Sequence, residues 1–222
     1  MPKLKSRIIS ITNRKGGVGK STFTVLLACS IANQFKKKVV VFDLDVQQTI
    51  YTIWKGTSKP LFECRSVNVK DLKELISELD GVYDYIFLDV PRITELATQG
   101  NNPSVQALKY SDTVVVPVLG TVPDIISTIP FYNLIKDIGQ LRKEYNMPFS
   151  YKAFLNRSNS RKTNEIALQY LKANGIKLMD NQVNDYAIFQ NFDPEADILD
   201  QYEGKTRFTS FFNEFCETFK IK

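Results

Sequence analysis

The residues whose chemistry is easiest to interpret lie near the start of this 222-residue chain, where residues 15–22 spell KGGVGKST. Glycines let successive backbone N–H groups turn toward one point, as a loop that holds phosphate oxygens requires. Lys20 is placed to reach the β- and γ-phosphates of a nucleotide, and the Ser21 hydroxyl is placed to ligate Mg²⁺. The predicted phosphate-binding loop consists of Lys15, Gly16, Gly17, Val18, Gly19, Lys20, Ser21 and Thr22.

This loop departs from the common G-x-x-x-x-G-K-[ST] pattern at its first position. Arg14 stands where that pattern has glycine, and the extra backbone freedom comes from two glycines that follow a second lysine, Lys15. A strand-like run at residues 7–12 precedes the loop, and a helix-like run at 23–35 follows it. The loop therefore has the strand–loop–helix context that phosphate binding needs.

The elements around the loop follow from the alternation of short apolar runs with stretches of helical period. Runs rich in β-branched and aromatic residues, separated by helices, are typical of buried parallel strands. We therefore predict an α/β fold in one domain spanning residues 1–222, with a mostly parallel twisted sheet flanked by helices on both faces. The predicted strands are 7–12, 39–43, 85–89, 113–118 and 149–156, and the predicted helices lie near 21–35, 70–79, 124–145 and 163–174. Pro130 is expected to kink or split the third helix.

Carboxylates end two of these predicted strands, where ligands collect in such a sheet. Asp43 and Asp45 follow one apolar run, and Asp89 follows the four apolar residues 85–88. A carboxylate at that point can hold Mg²⁺ through a water while Ser21 binds the ion directly. Alone, Asp89 would more often be a cap or turn residue, but its pairing with the loop predicts a metal site.

The composition excludes several other classes of function. The chain contains no histidine, and its three cysteines show no C-x-x-C spacing, so zinc and histidine-base chemistry are excluded and a reducing cytoplasm is predicted. No apolar stretch approaches the ~20 residues of a membrane span. The net charge of +5 permits attraction to nucleic acid or anionic lipid but does not demonstrate it.

Five motifs in order make nearly the whole chain resemble the ParA/MinD family of deviant Walker A P-loop ATPases. They are KGGVGKS at 15–21, DLDVQ at 43–47, DYIFLD at 84–89, VVVP at 114–117 and LNR at 155–157. The resemblance implies a fold of the P-loop NTPase type, with ATP and Mg²⁺ as cofactors. It also implies a Mg²⁺-dependent ATPase whose weak basal activity is stimulated by a partner.

Positions within these motifs imply individual roles. Lys15 is implied to reach the phosphates of the other subunit in an ATP-sandwiched dimer, and Asp45 to orient the attacking water or its Mg²⁺ shell. Asn156 is implied to contact the adenine edge, with a strand-end turn as the alternative. The implied catalytic residues are Lys15, Lys20 and Asp45, the implied metal residues are Ser21, Asp45 and Asp89, and the nucleotide-binding residues outside the loop are Asp43, Gln47, Asn156 and Arg157.

Three positions depart from the family pattern. Val46 replaces a usual proline and Gln48 stands where glycine is common, which leaves the conformation of this segment open. Arg92 replaces a proline after Asp89 and is either a phosphate-side cation or a surface residue. Residues 98–104 are predicted to form a loop that faces either the nucleotide or a partner, or else solvent.

Members of the family differ in what the ATP-bound dimer contacts. The partners expected here are a second copy of the chain, nonspecific duplex DNA and a ParB-like centromere-binding or activator protein, in a cytoplasmic, nucleoid-associated location. The alternative is a MinD-like positioning ATPase on a membrane. A stand-alone kinase is a third class, but the chain shows no acceptor-substrate motif.

Two surfaces bear on the choice between DNA and membrane. The C-terminal stretch 207–222 carries phenylalanines at helical spacing but only three cations against two acids, a net charge of +1, so we expect it to pack onto the domain. Nonspecific DNA binding needs several cations that track phosphates. The candidate cations are Arg157, Arg161, Lys162, Lys172 and Lys177.

Overall fold

One parallel sheet forms the centre of the fold. The computed structural model describes residues 5–92, 103–158, 161–190 and 192–222, apart from the side chains at 103 and 161–163. Its strands are β1 (Arg7–Ile11), β2 (Val39–Asp43), β3 (Glu63–Ser66), β4 (Tyr85–Asp89), β5 (Thr113–Leu119), β6 (Ser150–Ser158) and β7 (Val183–Asn184). They lie in the order β3-β2-β4-β1-β5-β6-β7, and neighbouring strands are parallel. The predicted α/β fold with a parallel sheet is confirmed.

Helices cover both faces of this sheet. They are α1 (Lys20–Phe35), α2 (Thr49–Lys55), α3 (Leu72–Leu79), α4 (Pro103–Tyr110), α5 (Val122–Glu144), α6 (Arg161–Ala173) and α7 (Tyr202–Phe219). Side chains alternate along the strands, so Ile9 and Ile11 of β1 belong to the core cluster under α1 and α7, whereas Ile8 belongs to the cluster under α3. A third cluster joins β5 and β6 to α5 and α6. This burial on both faces explains why the strands are continuous apolar runs.

The C-terminal helix packs onto the domain, as the charge pattern predicts. Its five phenylalanines are all buried, and they are Phe208, Phe211, Phe212, Phe215 and Phe219. The ring of Phe211 lies 4.7 Å from that of Phe154 on β6 and 5.6 Å from that of Phe23 on α1. Helix α7 therefore supports α1 directly behind the glycine-rich loop.

Several elements differ from the sequence-based prediction. The short elements α2, β3, α4 and β7 were not predicted, because none carries an apolar period long enough to stand out. A kink or a split was predicted at Pro130; helix α5 is continuous through this residue, so it is not split, and the kink stays a prediction. Pro130 is exposed, which lets water satisfy the carbonyl that loses its helical N–H partner. Of the predicted loop 98–104, residues 98–102 lie outside the described residues, and 103–104 begin α4.

Strand register brings the predicted functional residues to one edge of the sheet. Asp89, the last residue of β4, is in register with Ile11 at the end of β1 and with Asp43 at the end of β2. The glycine-rich loop leaves β1 at the same edge. On the other side of β1, Asn156 of β6 is in register with Leu119 of β5.

Candidate nucleotide site

The loop between β1 and α1 is fastened to the sheet at both of its ends. The buried Asn13 side chain donates from Nδ2 to the Pro117 carbonyl at 2.8 Å and accepts from the Lys15 N–H at 3.1 Å. At the other end, Asn156 Nδ2 donates to the Val18 carbonyl at 2.8 Å. These bonds join the loop to β5 and β6, so its backbone is held before any ligand arrives.

Two of the loop glycines are needed for its conformation. Gly17 and Gly19 have φ values of 74° and 98°, in the left-handed region that favours glycine. A Cβ at Gly19 would also lie 2.6 Å from the Asn156 amide nitrogen. Gly19 is the residue before the first turn of α1, whose open N–H groups attract anions. The geometry therefore suits phosphate, as the sequence predicts.

The Ser21 hydroxyl and Asp89 form a direct contact at the start of α1. Ser21 Oγ donates to Asp89 Oδ2 at 2.7 Å, and Thr24 Oγ1 lies 3.5 Å from Oδ1. Asp89 is 2% exposed, and this burial raises its pKa to about 7, against the opposing effects of the Ser21 hydrogen bond and the Lys20 charge. Asp43 in the adjacent strand raises the pKa further.

This donor set fits Mg²⁺, because hydroxyl and carboxylate oxygens are its preferred ligands and a buried carboxylate gains from a nearby cation. Within the described residues, no three acidic, histidine or cysteine side chains cluster as a complete metal site. A cation bound by Ser21 and Asp89 would therefore take its other ligands from phosphate and water.

Lys20 and Arg92 bring positive charge to the loop. Lys20 Nζ donates to the Lys15 carbonyl at 3.2 Å, and burial lowers the Lys20 pKa while Asp89 and Asp45 oppose that effect. Arg92 is exposed, yet its Cδ lies 3.8 Å from where a Cβ at Gly16 would be. Its charge also lowers the Lys20 pKa. Arg92 thus lies on the phosphate side of the sheet while remaining accessible to solvent.

The second loop lysine, Lys15, forms an ion pair with Asp124 near the start of α5. The Asp124 side chain is 4% exposed and also accepts a hydrogen bond from Thr121 Oγ1. The sequence analysis did not identify Asp124, because an acid in the first turn of a helix is ordinary and its neighbour in space, Lys15, is distant in sequence. In the single chain, Lys15 is thus held within its own subunit, and its role across a dimer stays a prediction.

Asp43 organises the segment that follows β2. One carboxylate oxygen accepts from the Asp45 N–H at 3.1 Å, and the other accepts from the Tyr51 N–H at 3.0 Å. Burial raises the Asp43 pKa, against the effect of these backbone hydrogen bonds. Asp45 itself accepts from the Gln47 N–H at 2.9 Å and remains partly exposed. Asp43 therefore holds both ends of the segment that carries Asp45.

The structure shows the conformation of Gln48 and the exposure of Val46, the two residues after β2 that differ from the family pattern. Gln48 has a φ of 48°, in the left-handed region, which explains why glycine would be common at this position. Val46 is 88% exposed, so the chain does not bury the residue that replaces proline.

A small pocket lies beyond the loop, and we call it the base pocket because the resemblance implies adenine contact at Asn156, one of its lining residues. Its walls come from the start of α1, the end of β6 and residues 184–190, and the lining residues include Gly19, Thr22, Phe23, Asn156, Arg157 and Tyr186. The Asn156 side chain donates one N–H to the Val18 carbonyl and accepts a hydrogen bond from the Arg157 N–H with one lone pair of Oδ1. One N–H and one lone pair remain, so contact with adenine stays a prediction. Arg157 Nε lies 4.0 Å from Asp185 Oδ1.

The structure describes three of the five side chains predicted as a DNA surface, and among these Arg157 lies apart from Lys172 and Lys177. Arg157 lies at the base pocket, whereas Lys172 lies in the last turn of α6, about 20 Å along a helix of 13 residues. The side chains of Arg161 and Lys162 lie outside the described residues. The described cations therefore span the length of α6, and their contact with DNA stays a prediction.

A different lysine cluster lies at the far end of α6. Lys136 Nζ is 3.2 Å from where a Cβ at Gly175 would be, and the Gly175 N–H donates to the Lys172 carbonyl. Lys177 follows in the chain and lies over the Tyr151 ring at 5.3 Å. We call Lys136, Lys172 and Lys177 the lysine patch.

Among the described residues, no helix has the length and apolar character needed to cross a membrane.

Comparisons with known proteins agree with this geometry. The CobQ/CobB/MinD/ParA nucleotide-binding domain family matches residues 9–134. The sporulation initiation inhibitor protein Soj of Bacillus subtilis is 28% identical over 153 residues, which cover 50% of this chain and 58% of Soj. The septum site-determining protein MinD of Synechocystis is 28% identical over 171 residues, which cover 61% of this chain and 62% of MinD. The chain thus spans about three fifths of these relatives.

The fold also matches solved structures. A variant of McdA from Cyanothece in complex with ATP has a TM-score of 0.73 and 13% identity, over 99% of this chain and 98% of McdA. Because only 13% of the residues are identical, this match shows that the two proteins share a fold and nothing more.

Proposed function

Because this chain belongs to the CobQ/CobB/MinD/ParA nucleotide-binding family, we propose that it is an ATPase of the ParA type. It binds and hydrolyses ATP in a sandwich dimer, and the ATP-bound dimer holds nonspecific duplex DNA to partition a plasmid, mobile element or chromosome. It acts in the cytoplasm on the nucleoid, with a ParB-like centromere-binding or activator protein as partner.

The observation that carries this proposal is the convergence of Lys20, Ser21 and Asp89 behind a loop that is already fastened to the sheet. Lys20 and the loop N–H groups bind the phosphates. Ser21 and Asp89 hold Mg²⁺, which when bound supplies further neutralisation of the phosphate charge. Since phosphoryl transfer depends mainly on positioning and charge, a rigid cationic loop provides most of what it needs.

Asp45 positions the attacking water by accepting a hydrogen bond from it. The Asp45 carboxylate is held near the phosphate site because Asp43 accepts hydrogen bonds from the backbone N–H groups of Asp45 and Tyr51, which fixes the segment between them. In the dimer, Lys15 leaves Asp124 and adds its charge to the phosphates of the other subunit. The ion pair with Asp124 keeps the Lys15 side chain ordered until that exchange occurs.

Two observations favour DNA over membrane as the surface that the dimer contacts. The phenylalanine stripe of α7 is already buried against the domain, which leaves no apolar face of that helix for lipid. In the lysine patch, Lys172 and Lys177 are exposed and Lys136 is partly exposed, and dimerisation doubles the number of these cations. The likeness to MinD, which extends over 61% of this chain, favours the alternative of a membrane-associated positioning ATPase.

The test measures ATP hydrolysis and then the binding of duplex DNA and of anionic liposomes, each with and without ATP and Mg²⁺. We expect hydrolysis, and ATP-dependent DNA binding that weakens steeply with salt because neutralised phosphates release counterions. Reversing Lys136, Lys172 and Lys177 to glutamate should weaken DNA binding at least tenfold without changing ATP affinity.

A matched control reverses three exposed lysines elsewhere, Lys70, Lys73 and Lys205, with the same change in net charge. If both triple variants lose DNA binding equally, net charge rather than the lysine patch is responsible. ATP-dependent binding to liposomes without DNA binding would establish the MinD-like alternative. An absence of nucleotide binding would refute both.

A further inference from the structure

A groove beside the middle of α1 shares no lining residue with the base pocket. Its cavity volume is about 380 Å³, within the roughly 300–1,000 Å³ that is typical of ligand-binding clefts. The floor is apolar and consists of Leu26 and Ile198, which are buried, and of Ile188 and Phe192, which are partly buried. We call this feature the α1 groove.

The rim of the α1 groove between Asp193 and Ala196 is fixed by hydrogen bonds to the loop that precedes β3. The Pro194 carbonyl accepts from the Leu61 N–H at 2.8 Å. The Glu195 carboxylate accepts from two further N–H groups of the same loop, at 2.6 and 2.7 Å. This part of the rim is thus formed in the single chain, so a partner would not have to order it.

The charge around the α1 groove is negative, although the chain carries a net charge of +5. Residues 178–204 contain seven acidic residues and neither lysine nor arginine. At the rim, Asp193 and Glu203 are both exposed. Glu203 pairs with Arg207 at 3.0 Å, whereas Asp193 makes no ion pair with any of the described residues. An uncompensated carboxylate beside an apolar floor suits a cation on an apolar body and disfavours DNA.

We propose that the α1 groove binds a short segment of a partner protein in which a lysine or arginine lies next to large apolar side chains. The apolar side chains cover Ile188 and Phe192, and the cation meets Asp193. A free amine gains little affinity in an open groove, because few of its atoms make contacts, whereas the flanks of a protein segment add contacts. The inference does not involve the nucleotide site and therefore goes beyond the proposed function.

The test titrates the full chain with three probes and locates binding by nitrogen-15 NMR. The probes are a blocked peptide of alternating leucine and lysine, the same peptide with glutamate in place of lysine, and hexylamine. We expect only the leucine–lysine peptide to shift the amide signals of residues 187–203 saturably. Its binding should weaken as salt screens the charges.

Three variants test whether the α1 groove itself is responsible. Asp193→Asn removes the charge but keeps the oxygen that accepts from the Glu195 N–H, so the fold should persist and peptide binding should weaken about threefold. Ala196→Trp fills the groove and should weaken binding by about tenfold or more. Asp137→Asn changes an exposed acid on α5 with the same effect on net charge, and it should leave binding unchanged.

Equal weakening by Asp193→Asn and Asp137→Asn would overturn the inference, because net charge alone would then attract the peptide. Signal changes confined to residues outside 187–203, or no saturable binding, would also overturn it. Equal affinity for hexylamine and the peptide would establish a site for small amines instead of a partner segment. Since ATP binding is measured separately, a wild type that binds ATP but no peptide refutes this inference and leaves the proposed function standing.

Discussion

At the scale of single residues, the candidate site gathers ionisable groups that are costly to bury. Asp43 and Asp89 are adjacent in register at the edge of the sheet, and burial raises the pKa of each. Lys20 lies beside them, with a pKa that burial lowers. Such perturbed groups are typical of functional sites, because a ligand of the right charge relieves the cost.

The first prediction distinguishes the two loop lysines. Lys20→Ala should abolish nucleotide binding, since it removes the charge that meets the β- and γ-phosphates. Lys15→Ala should leave the ATP dissociation constant within about threefold, because Lys20 bonds to the Lys15 backbone carbonyl rather than to its side chain. Calorimetry measures both, and size-exclusion chromatography should show loss of the ATP-dependent dimer in Lys15→Ala. Equal loss of ATP affinity in the two variants would refute the role of Lys15 across the dimer.

Asp89→Asn provides a second prediction at this scale. The folded-state pKa of Asp89 is raised from 3.8 to about 7, so folding favours the protonated acid. Its contribution to stability is complete below about pH 4 and is lost as the pH rises through about 7. In EDTA at pH 8, Asp89→Asn should therefore raise the free energy of unfolding by up to about 4 kcal/mol, with a smaller gain at pH 5.

Nucleotide binding in the presence of Mg²⁺ should instead favour the wild type over Asp89→Asn. We expect Mg²⁺ to tighten ATP binding in the wild type and to have little effect on Asp89→Asn, measured by titration at fixed pH. Thermal melting in EDTA that is identical for the two proteins at pH 8 would contradict the assignment of a costly buried carboxylate.

At the scale of elements, helix α7 connects the end of the chain to the loop through aromatic contacts. Phe211 lies between Phe154 on β6 and Phe23 on α1, and α1 begins at the loop. The same helix carries Arg207, which covers Tyr186 at the base pocket. One helix thus contacts both α1, which begins at the loop, and Tyr186 in the base pocket.

The prediction that belongs to this scale concerns Phe211. Phe211→Ala should lower the free energy of unfolding by about 3–5 kcal/mol, because it removes a buried ring from a close-packed aromatic cluster. Urea denaturation measures the change, and Asn213→Ala on the exposed side of the same helix serves as a control with an expected change within about 0.5 kcal/mol. If Phe211→Ala kept wild-type stability and lost only association with liposomes, α7 would be a membrane helix.

At the scale of the whole molecule, the proposed cycle requires two copies of the chain. Lys15 is paired with Asp124 in the single subunit, and in the proposal it exchanges that partner for the phosphates of the second subunit. The equilibrium between these arrangements would be set by ATP, since only the triphosphate supplies the competing charge.

The corresponding prediction uses Asp45. A residue that positions water without holding the nucleotide should affect turnover more than affinity. Asp45→Ala should therefore reduce hydrolysis at least tenfold, keep ATP affinity within about threefold and accumulate a dimer in ATP and Mg²⁺. Light scattering measures the mass, with ADP as the control, and a monomer under both conditions would refute this assignment.

The sequence alone was sufficient to identify the loop, the strands beside it and the carboxylates at their ends. Spacing along the chain determines these features, since a glycine-rich loop after a strand and an aspartate after an apolar run are local patterns. The buried phenylalanine stripe of α7 was predicted for the same reason. Short elements such as α2 and β3 were missed because four to seven residues are too few to show a clear apolar period.

Only the tertiary structure decided which distant residues meet. The ion pair of Lys15 with Asp124, the bond from Asn156 to Val18 and the stacking of Arg207 on Tyr186 each join separate elements. Likewise, the length of α6 separates Arg157 from Lys172, which are only 15 positions apart in the sequence. These contacts depend on strand order and helix packing, which arise from burial over the whole chain and leave no local pattern in the sequence.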